Sequence, residues 1–188
     1  GTYISSAAYH GVHQSALSKE RSMNVGVIST YLDNYIFPSI IRGIEGVLSA
    51  EGCTVQLAAT NNLVASEERA LQLMLKRHID GLIVIPTRSA LPCVNLDLYH
   101  TITQREIPLV FLDSFLPELS FPYVSLDDSE AGFMGTNHLI SMGHRNILGI
   151  FSHINRQGHL RYQGYAKALA GQGIPIQDDR IFWYSKED

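Results

Sequence analysis

The sequence lacks the features that mark several large classes of protein. Its two cysteines, Cys53 and Cys93, stand apart, and no Cys-x-x-Cys or His-x-x-x-His spacing occurs, so we expect neither a zinc site nor a disulfide framework. Only 17% of the 188 residues are charged, and the formal net charge is −4, without the clustered lysine and arginine excess of a phosphate-binding surface. Any contact with nucleic acid is therefore expected to lie outside these residues.

Long apolar runs and catalytic motifs are also missing. No stretch approaches the roughly eighteen uninterrupted apolar residues of a membrane span, and no basic region followed by an apolar signal core opens the sequence. These absences predict a cytoplasmic location and no membrane contact. The sequence contains no Gly-x-Gly-x-x-Gly, Gly-x-x-x-x-Gly-Lys-[Ser/Thr], Gly-x-Ser-x-Gly or His-Glu-x-x-His motif. We therefore expect no catalytic residues, no cofactor and no metal, and an enzyme on the same fold is the minority alternative.

What the sequence does have is an alternation of short apolar runs with amphipathic segments. The runs of strand length are Met23–Thr30, Thr54–Thr60, Leu82–Pro86 and Ile107–Asp113. The predicted helices run from Pro38 to Gly52 with an apolar face of Ile40, Ile41, Ile44, Val47 and Leu48, from a Ser66 cap with an inner face of Ala70, Leu73, Met74 and the Arg77 stem, and from Leu96 to Arg105. Repeated βα units with nearly continuous apolar strands predict an α/β fold with a parallel sheet covered on both faces.

The stretch His138–Phe151 predicts the end of a helix, a sharp stop and a buried strand. Gly143 supplies the left-handed residue that commonly closes a helix, and His144 and Arg145 place positive charge near its C-terminus. A further helix over 161–171 and a strand over 180–184 are predicted beyond it.

The same region resembles the effector-binding half of the LacI/GalR transcription regulators. The motif Leu-Ile-x-x-Gly-His-Arg-x-Ile at 139–147 is preceded by Val-Ser-Leu-Asp-Asp at 124–128 and followed by Arg-Tyr-Gln-Gly-Tyr at 161–165. The resemblance implies a periplasmic-binding-protein-like fold of two doubly wound parallel-sheet lobes over residues 23–188. The first lobe is expected at about 23–143 and the start of the second at about 144–188. Because the family's second lobe continues through further βα units, we expect it to be incomplete in this chain.

The first residues carry a second, shorter resemblance. Gly-Thr-Tyr-Ile at 1–4 is similar to the last strand of the wing in GntR-type winged-helix domains, and residues up to 22 have the composition of a linker. The combination resembles the arabinose-responsive repressors, which join a GntR head to a LacI body. It implies a homodimeric repressor that senses a sugar, L-arabinose, and releases operator DNA bound through an N-terminal winged-helix domain. A sugar-binding protein of a transport system is the alternative.

Candidate ligand-binding residues follow from the topology, because ligands of open α/β sheets bind at the carboxyl ends of the strands. Charged groups, hydroxyls and aromatic rings at these ends suit a sugar, whose hydroxyls need donors and acceptors and whose C–H faces pack on rings. The candidates are Tyr31, Asp33, Tyr35, Phe37, Thr87, Arg88, Asp113, His153 and Arg161.

Several of these candidates have structural alternatives. Asp113 could cap the following turn although the resemblance places a ligand-contacting Asp there, and Phe37 could pack in the core or staple the first helix. Arg161 matches the family's ligand-binding Arg, yet it could instead pair with Asp127 or Asp128. These two carboxylates themselves read first as an N-cap for a helix beginning near 129. Tyr31, Asp33 and Tyr35 are placed by position only, and His153, like His159, could be a surface histidine.

Overall fold

The structure, a computed structural model, describes residues 2–4 and 22–185. Its strands are β1 (Thr2–Ile4), β2 (Asn24–Ser29), β3 (Thr54–Ala59), β4 (Gly81–Val84), β5 (Leu109–Leu112), β6 (Tyr123–Leu126), β7 (Gly149–Ser152) and β8 (Ile181–Tyr184). Its α-helices are α1 (Phe37–Ala50), α2 (Val64–Lys76), α3 (Leu96–Gln104), α4 (Asp128–Ser141) and α5 (Arg156–Gly171), and a short 3-10 helix spans Asp178–Arg180. Most of the predicted linker, residues 5–21, lies outside the described residues.

The predicted parallel sheet is confirmed. Six strands lie in the order β1-β6-β5-β4-β2-β3, and the five from β2 to β6 pair in parallel. In the centre of the sheet, Val27 lies opposite Leu57 on one side and Ile83 on the other. Because β1 lies beside β6 at the edge, residues 2–4 add a strand to this sheet. The assignment of residues 1–22 to a wing and linker stays a prediction.

The chain divides into two compact units. The first unit comprises Ile4–Arg88 and Pro92–Ser125, and the second comprises Leu126–Asp188 with Gly1–Tyr3 and Ser89–Leu91. The division falls earlier than the lobe boundary predicted near residue 143, because α4 packs closely on α5 and so belongs with the second unit.

The first unit is built on a continuous apolar core between the sheet and its helices. Ile28, Leu71, Val84, Tyr99 and Phe111 are fully buried in it. Burial of such side chains stabilises a fold by about 1.5–3 kcal/mol each relative to leaving them in water. Helix α1 differs, because none of its residues is buried and Val47, predicted on its apolar face, is 67% exposed.

Two predictions for α2 are wrong. The helix begins at Val64 after an extended Leu63, so Ser66 lies in its first turn and is not the N-cap. Leu73, predicted on the inner face, is 43% exposed, whereas Leu71 and Leu75 are buried. Ala70 and Met74, also predicted on the inner face, are buried, so the buried stripe overlaps the predicted face but is turned away from Leu73 by roughly a third of a turn at about 100° per residue.

The second unit pairs β7 with β8 in parallel and covers one face of this sheet with α5. Phe151, Tyr165 and Leu169 form its core with Ile140 and Ile147. Helices α4 and α5 approach closely through glycines: a Cβ on Gly132 would lie 2.2 Å from the Arg161 carbonyl oxygen, and one on Gly164 would lie 1.9 Å from that of Ser129. The contact requires glycine at both positions.

The helix ends of the second unit follow the sequence with one exception. Asp127 is the N-cap of α4, and its carboxylate accepts a hydrogen bond from the Glu130 backbone N–H at 2.9 Å, as the sequence predicts. Gly143 follows the helix with φ +93°, the predicted left-handed stop. However, α5 begins at Arg156, so Arg161 lies in its second turn and not at its start.

Candidate functional site

The carboxyl ends of the parallel strands of the first unit place polar residues along one edge of the sheet. Ser29 ends β2, Thr60 follows β3, Thr87 follows β4, and Asp113 follows β5. Ser29, Thr60 and Thr87 are buried, with at most 6% of their surface exposed, although the strands that precede them are apolar. Buried hydroxyl groups need hydrogen-bond partners, so the bonds of this edge define the geometry of the candidate site.

A chain of side chains connects β3, β4 and α2 at this edge. The Thr87 hydroxyl donates to the Thr60 hydroxyl at 3.0 Å, and the Thr87 backbone N–H donates to Glu67 Oε1 at 3.1 Å. The Asn62 backbone N–H donates to the same Thr60 hydroxyl at 3.2 Å. Thr87, a candidate ligand contact, is therefore held on both its hydroxyl and its backbone.

Glu67 is the centre of this chain. Only 3% of the residue is exposed, and its carboxylate accepts from Asn95 Nδ2 at 2.9 Å and from the Tyr99 hydroxyl at 3.0 Å. Burial raises the pKa of Glu67 above its ordinary value, and the hydrogen bonds from Thr87, Asn95 and Tyr99 oppose that rise. The Tyr99 hydroxyl is itself fully buried, which holds its pKa well above the usual range.

Arg88 follows Thr87 in a left-handed conformation with φ +48°. Its backbone N–H donates to Asn62 Oδ1 at 3.1 Å, and its Nε donates to the Asn62 carbonyl oxygen at 3.3 Å. Left-handed backbone is uncommon for a residue with a side chain and is kept where the surroundings hold it. The Thr87–Arg88 turn is thus fixed by bonds to Glu67 and Asn62.

The loop after β2 brings two candidates together and leaves two in solvent. The rings of Tyr31 and Phe37 pack with centroids 6.1 Å apart, and the Tyr31 carbonyl oxygen accepts from the Ser29 hydroxyl at 2.6 Å. Asp33 is exposed, and Tyr35 is 92% exposed with φ +49°. Phe37 is the first residue of α1 and half-buried, so the packing alternative weighed from the sequence describes its contact with Tyr31.

Asp113 also adopts a left-handed backbone, with φ +66°, immediately after β5. Its backbone N–H donates to the Val124 carbonyl oxygen of β6 at 2.8 Å, and the residue is half-buried. The strand end therefore holds the backbone of Asp113 firmly while part of the residue stays open to solvent.

In the second unit, Arg161 pairs with a buried carboxylate. Its Nε donates to Asp128 Oδ1 at 2.7 Å; the Arg161 side chain is 50% exposed and that of Asp128 only 3%. Burial raises the pKa of Asp128, and the neighbouring guanidinium opposes that rise. The pairing is the alternative weighed from the sequence, but it does not exclude ligand binding, since within the described residues it uses only the Nε of the guanidinium.

Two histidines of the second unit, His153 and His159, lie at and shortly after the end of β7. His153 is exposed immediately after β7, and its carbonyl oxygen lies 2.8 Å from His159 Nε2. The His159 ring lies 4.9 Å from that of Trp183, which also packs on Phe151 and Tyr162. The side-chain role of His153 stays a prediction.

Sequence reasoning missed Glu67, the most connected residue of the edge, together with Asn62, Asn95 and Tyr99. Glu67 stands beside exposed Glu68 and Arg69 near a helix start, where acidic residues are ordinary. Its spacing was nevertheless informative, because positions 67, 71 and 74 share one face of a helix, and the latter two are apolar. An acidic residue on an apolar stripe signals a buried carboxylate.

A metal-binding cluster and a membrane-spanning helix are both absent from the described residues. Across 2–4 and 22–185, no group of three or more His, Cys, Asp or Glu side chains is arranged to hold a metal ion. None of the helices in this part of the chain has the length and hydropathy needed to cross a membrane.

Comparison with known proteins identifies the family. Residues 22–187 match the family of periplasmic binding proteins and the sugar-binding domain of the LacI family. The chain is 38% identical over 174 residues to an arabinose metabolism transcriptional repressor of Halalkalibacterium halodurans, covering 93% of this chain and 46% of that protein. It is 36% identical over 164 residues to the protein of the same name from Geobacillus stearothermophilus, covering 87% and 45%. The chain thus spans about half the length of these relatives.

Solved structures agree on the fold. Transcription regulator CcpA of Lactococcus lactis superposes with a TM-score of 0.77 at 25% identity, over 89% of this chain and 61% of that one. A LacI family transcriptional regulator from Mycobacterium smegmatis shares the fold with a TM-score of 0.69 at 23% identity, over 84% and 55%. The resemblance at 124–165 is thereby confirmed: the chain belongs to the family of periplasmic binding proteins and LacI-type sugar-binding domains.

Proposed function

We propose that this chain is the effector-binding part of a bacterial transcriptional repressor that binds L-arabinose and then releases its operator DNA. The observation that carries the proposal is the 38% identity, over 93% of the chain, with a repressor named for arabinose metabolism. A second relative of the same name, at 36% identity, supports it. No catalytic step is part of the proposed activity.

The chemistry of the strand ends suits a sugar ligand. The first unit offers the Arg88 guanidinium, the Asp113 carboxylate and the rings of Tyr31 and Phe37, and the second offers Arg161. Charge-assisted hydrogen bonds orient hydroxyl groups, and aromatic faces accept the C–H surface of a pyranose. We propose these residues as ligand contacts, together with Asp33, Tyr35, Thr87 and His153.

The repressor would bind operator DNA through an N-terminal winged-helix domain of the GntR type, outside this chain, and would act in the cytoplasm. It would also be a homodimer, because operator half-sites are read by two-fold symmetric proteins. Helix α1 supports dimerisation: it has no buried residue, and Val47 is 67% exposed beside half-buried Ile40 and Ile44. A stable interface would bury on the order of 1,600 Å² in total.

The sugar is tested by calorimetric titration of the complete protein with L-arabinose, D-xylose, D-galactose and D-ribose. We expect saturable binding of L-arabinose and at least tenfold weaker binding of the other three sugars. If only one of the other sugars binds, that sugar and not L-arabinose is the ligand. If none of the four binds, the proposal is rejected.

The mechanism is tested by operator affinity with and without saturating L-arabinose. A ligand can shift the DNA-binding equilibrium only if it binds one conformation more tightly than the other. We expect weaker operator binding with sugar. Unchanged affinity would dismiss induction by this sugar, and sugar binding without any operator binding would favour the transport-protein alternative. Sedimentation of the complete protein tests the dimer, which a monomer at micromolar concentration would refute.

A further inference from the structure

The carboxylate of Glu67 is an unusual group to find where it lies. It sits at the start of α2 beside the apolar core, with Ala70, Leu71 and Tyr99 as buried neighbours in that core. An ionised carboxylate loses its hydration on burial, and a well-packed apolar side chain would cost the fold less. A sequence that keeps such a group inside commonly does so for function.

One partner of Glu67, Asn95, bonds the carboxylate instead of capping its own helix. Asn95 occupies the N-cap position of α3, where an Asn side chain usually accepts a hydrogen bond from the helix backbone, yet it makes no such cap. Its Nδ2 instead donates to Glu67 Oε2 at 2.9 Å and to the Val64 carbonyl oxygen at 3.3 Å. The Asn95 amide therefore serves the carboxylate and α2 in place of its own helix.

One of the three groups that donate to the carboxylate belongs to the candidate site. Glu67 Oε1 accepts from the Thr87 backbone N–H, and Thr87 precedes Arg88, whose left-handed backbone is bonded to Asn62. One buried carboxyl group thus joins the starts of α2 and α3 to the turn that carries two of the proposed ligand contacts. This turn follows β4, a central strand of the sheet.

We propose that Glu67 is a positioning residue of the effector site, whose buried carboxylate holds the Thr87–Arg88 turn in the conformation that binds the ligand. This proposal rests on the proposed sugar-binding function and assigns a role to a residue that does not itself contact the sugar.

The hydrogen-bond inventory shows why the carboxylate is needed. Three donors surround it: the Thr87 N–H, the Asn95 amide and the Tyr99 hydroxyl. A carboxylate accepts on both oxygens, whereas a glutamine of the same shape would turn an N–H toward the Asn95 amide, donor against donor. Glu67→Gln therefore keeps an oxygen for the Thr87 N–H but removes the charge from that bond and breaks the bond to Asn95, with almost no change in volume.

The test compares Glu67→Gln with Glu68→Gln in the complete protein. Glu68 is the exposed neighbour on the same helix turn, and its carboxylate accepts a hydrogen bond from Gln72 Nε2 at 3.1 Å. We expect Glu67→Gln to weaken L-arabinose binding about tenfold, as the loss of a hydrogen bond to a charged group does, and Glu68→Gln to stay within about threefold of wild type. A folded Glu67→Gln variant with wild-type affinity would overturn the proposal.

The variant Tyr99→Phe distinguishes the positioning role of Glu67 from a purely structural one. This variant removes the hydroxyl donor from α3 but leaves the Thr87 N–H bond in place. We expect Tyr99→Phe to lower the midpoint of thermal unfolding while L-arabinose affinity stays within about threefold of wild type. Equal losses of affinity in Glu67→Gln and Tyr99→Phe would show that ligand binding responds to any loss of a hydrogen bond around Glu67. The positioning role would then be rejected.

A second variant and a second measurement cover the cases in which Glu67→Gln does not fold or the protein binds no sugar. If Glu67→Gln does not fold, Glu67→Asp replaces it in the same comparison, because it keeps the charge and withdraws the carboxylate by one methylene. If the wild-type protein binds none of the sugars, the proposed function fails, and hydrogen exchange decides the positioning role on its own. We then expect the Thr87 and Arg88 amides to exchange at least tenfold faster in Glu67→Gln than in Glu68→Gln, with Ile83 of β4 unchanged; equal exchange would overturn it.

Discussion

The first unit and the second unit use the same βα pattern but are held together differently. In the first, parallel strands and helices enclose an apolar core in which Ile28, Leu71 and Phe111 have no exposed surface. Among the described residues of the second, the sheet has two strands, and α5 covers one of its faces. On its other face Ile150, Phe182 and Tyr184 are 64%, 50% and 47% exposed.

This contrast shows two sources of stability in one chain. The first unit depends on the area of apolar surface that a large sheet removes from water. The second has a smaller apolar core and depends in addition on backbone approach between α4 and α5 at Gly132 and Gly164 and on the Arg161–Asp128 pair that joins the same helices. We therefore expect cavities to harm the first unit most, and added bulk or lost charge to harm the second.

The largest effect is expected from Leu71→Ala in the first unit. Leu71 has no exposed surface, so truncation leaves a cavity and should cost about 2–5 kcal/mol of unfolding free energy. Hydrogen exchange of the β4 amides measures this loss in the first unit alone. The matched control is Leu73→Ala, two residues along α2 and 43% exposed, which should cost less than about 1 kcal/mol. Equal costs at the two positions would show that Leu71 does not mark the buried face of α2.

The next effect is expected from Gly164→Ala in the second unit. Its methyl group would lie 1.9 Å from the Ser129 carbonyl oxygen, and separating two helix backbones should cost about 1–3 kcal/mol or more. The fluorescence of Trp183, the only tryptophan, measures unfolding of this unit, because its ring packs on Phe151 and Tyr162.

Gly135→Ala is the control for that contact. Gly135 lies in α4 with nothing within 4 Å of an added Cβ, so alanine should stabilise the helix by about 0.5–1 kcal/mol. If Gly135→Ala and Gly164→Ala shift the Trp183 transition alike, close approach of the two helices is not what holds the unit.

An element of this fold can be predicted from the sequence where its residue pattern is compatible with only one local structure. Strands such as 23–30 and 54–60 were predictable, because short β-branched runs between turns have few alternatives, and their parallel pairing followed from the intervening helices. Asp127 and Gly143 were predictable for the same reason, since N-caps and left-handed stops depend on local backbone only.

The rotation of α2 about its axis and the hydrogen-bond network around Glu67 were harder to predict from the sequence. Leu71 and Leu73 are the same residue type two positions apart, and only the sheet beneath α2 decides which one is buried. The site showed the same limit: strand ends indicated Thr87, Arg88 and Asp113, but Glu67 reaches Thr87 from twenty residues away. Such a contact is set by tertiary packing, which no local pattern records.

Arg161→Ala tests both roles of the Arg161–Asp128 pair. In the complete protein, loss of charge-assisted bonds of about 1.5–3 kcal/mol each should lower L-arabinose affinity at least tenfold, measured by calorimetric titration. Wild-type affinity in a folded variant would show that Arg161 serves only the α4–α5 contact. Arg161→Lys is the control, because it keeps the charge but not the guanidinium Nε that bonds Asp128.

The same variant should change how stability depends on pH. Burial raises the pKa of Asp128 and Arg161 opposes the rise, so removing Arg161 should raise that pKa further. A carboxyl whose folded pKa is raised contributes stability below its unfolded pKa and loses it as pH rises through its folded pKa. The stability deficit of Arg161→Ala should therefore grow from acid toward neutral pH, measured by Trp183 fluorescence. A deficit that shrinks over this range would contradict the sign.

The smallest effect is expected on the open face of the second sheet. Phe182 is 50% exposed there, whereas Ile181, its neighbour in β8, packs toward the core of the second unit. Phe182→Ser should change the unfolding free energy of this chain by no more than about 0.5 kcal/mol, as surface substitutions do, while Ile181→Ser should cost more than about 1 kcal/mol because it removes apolar contacts. Denaturation followed by Trp183 fluorescence compares the two in one experiment. Equal costs would mean that the face of Phe182 is covered in solution, and the contrast between a closed first unit and a half-open second sheet would then be lost.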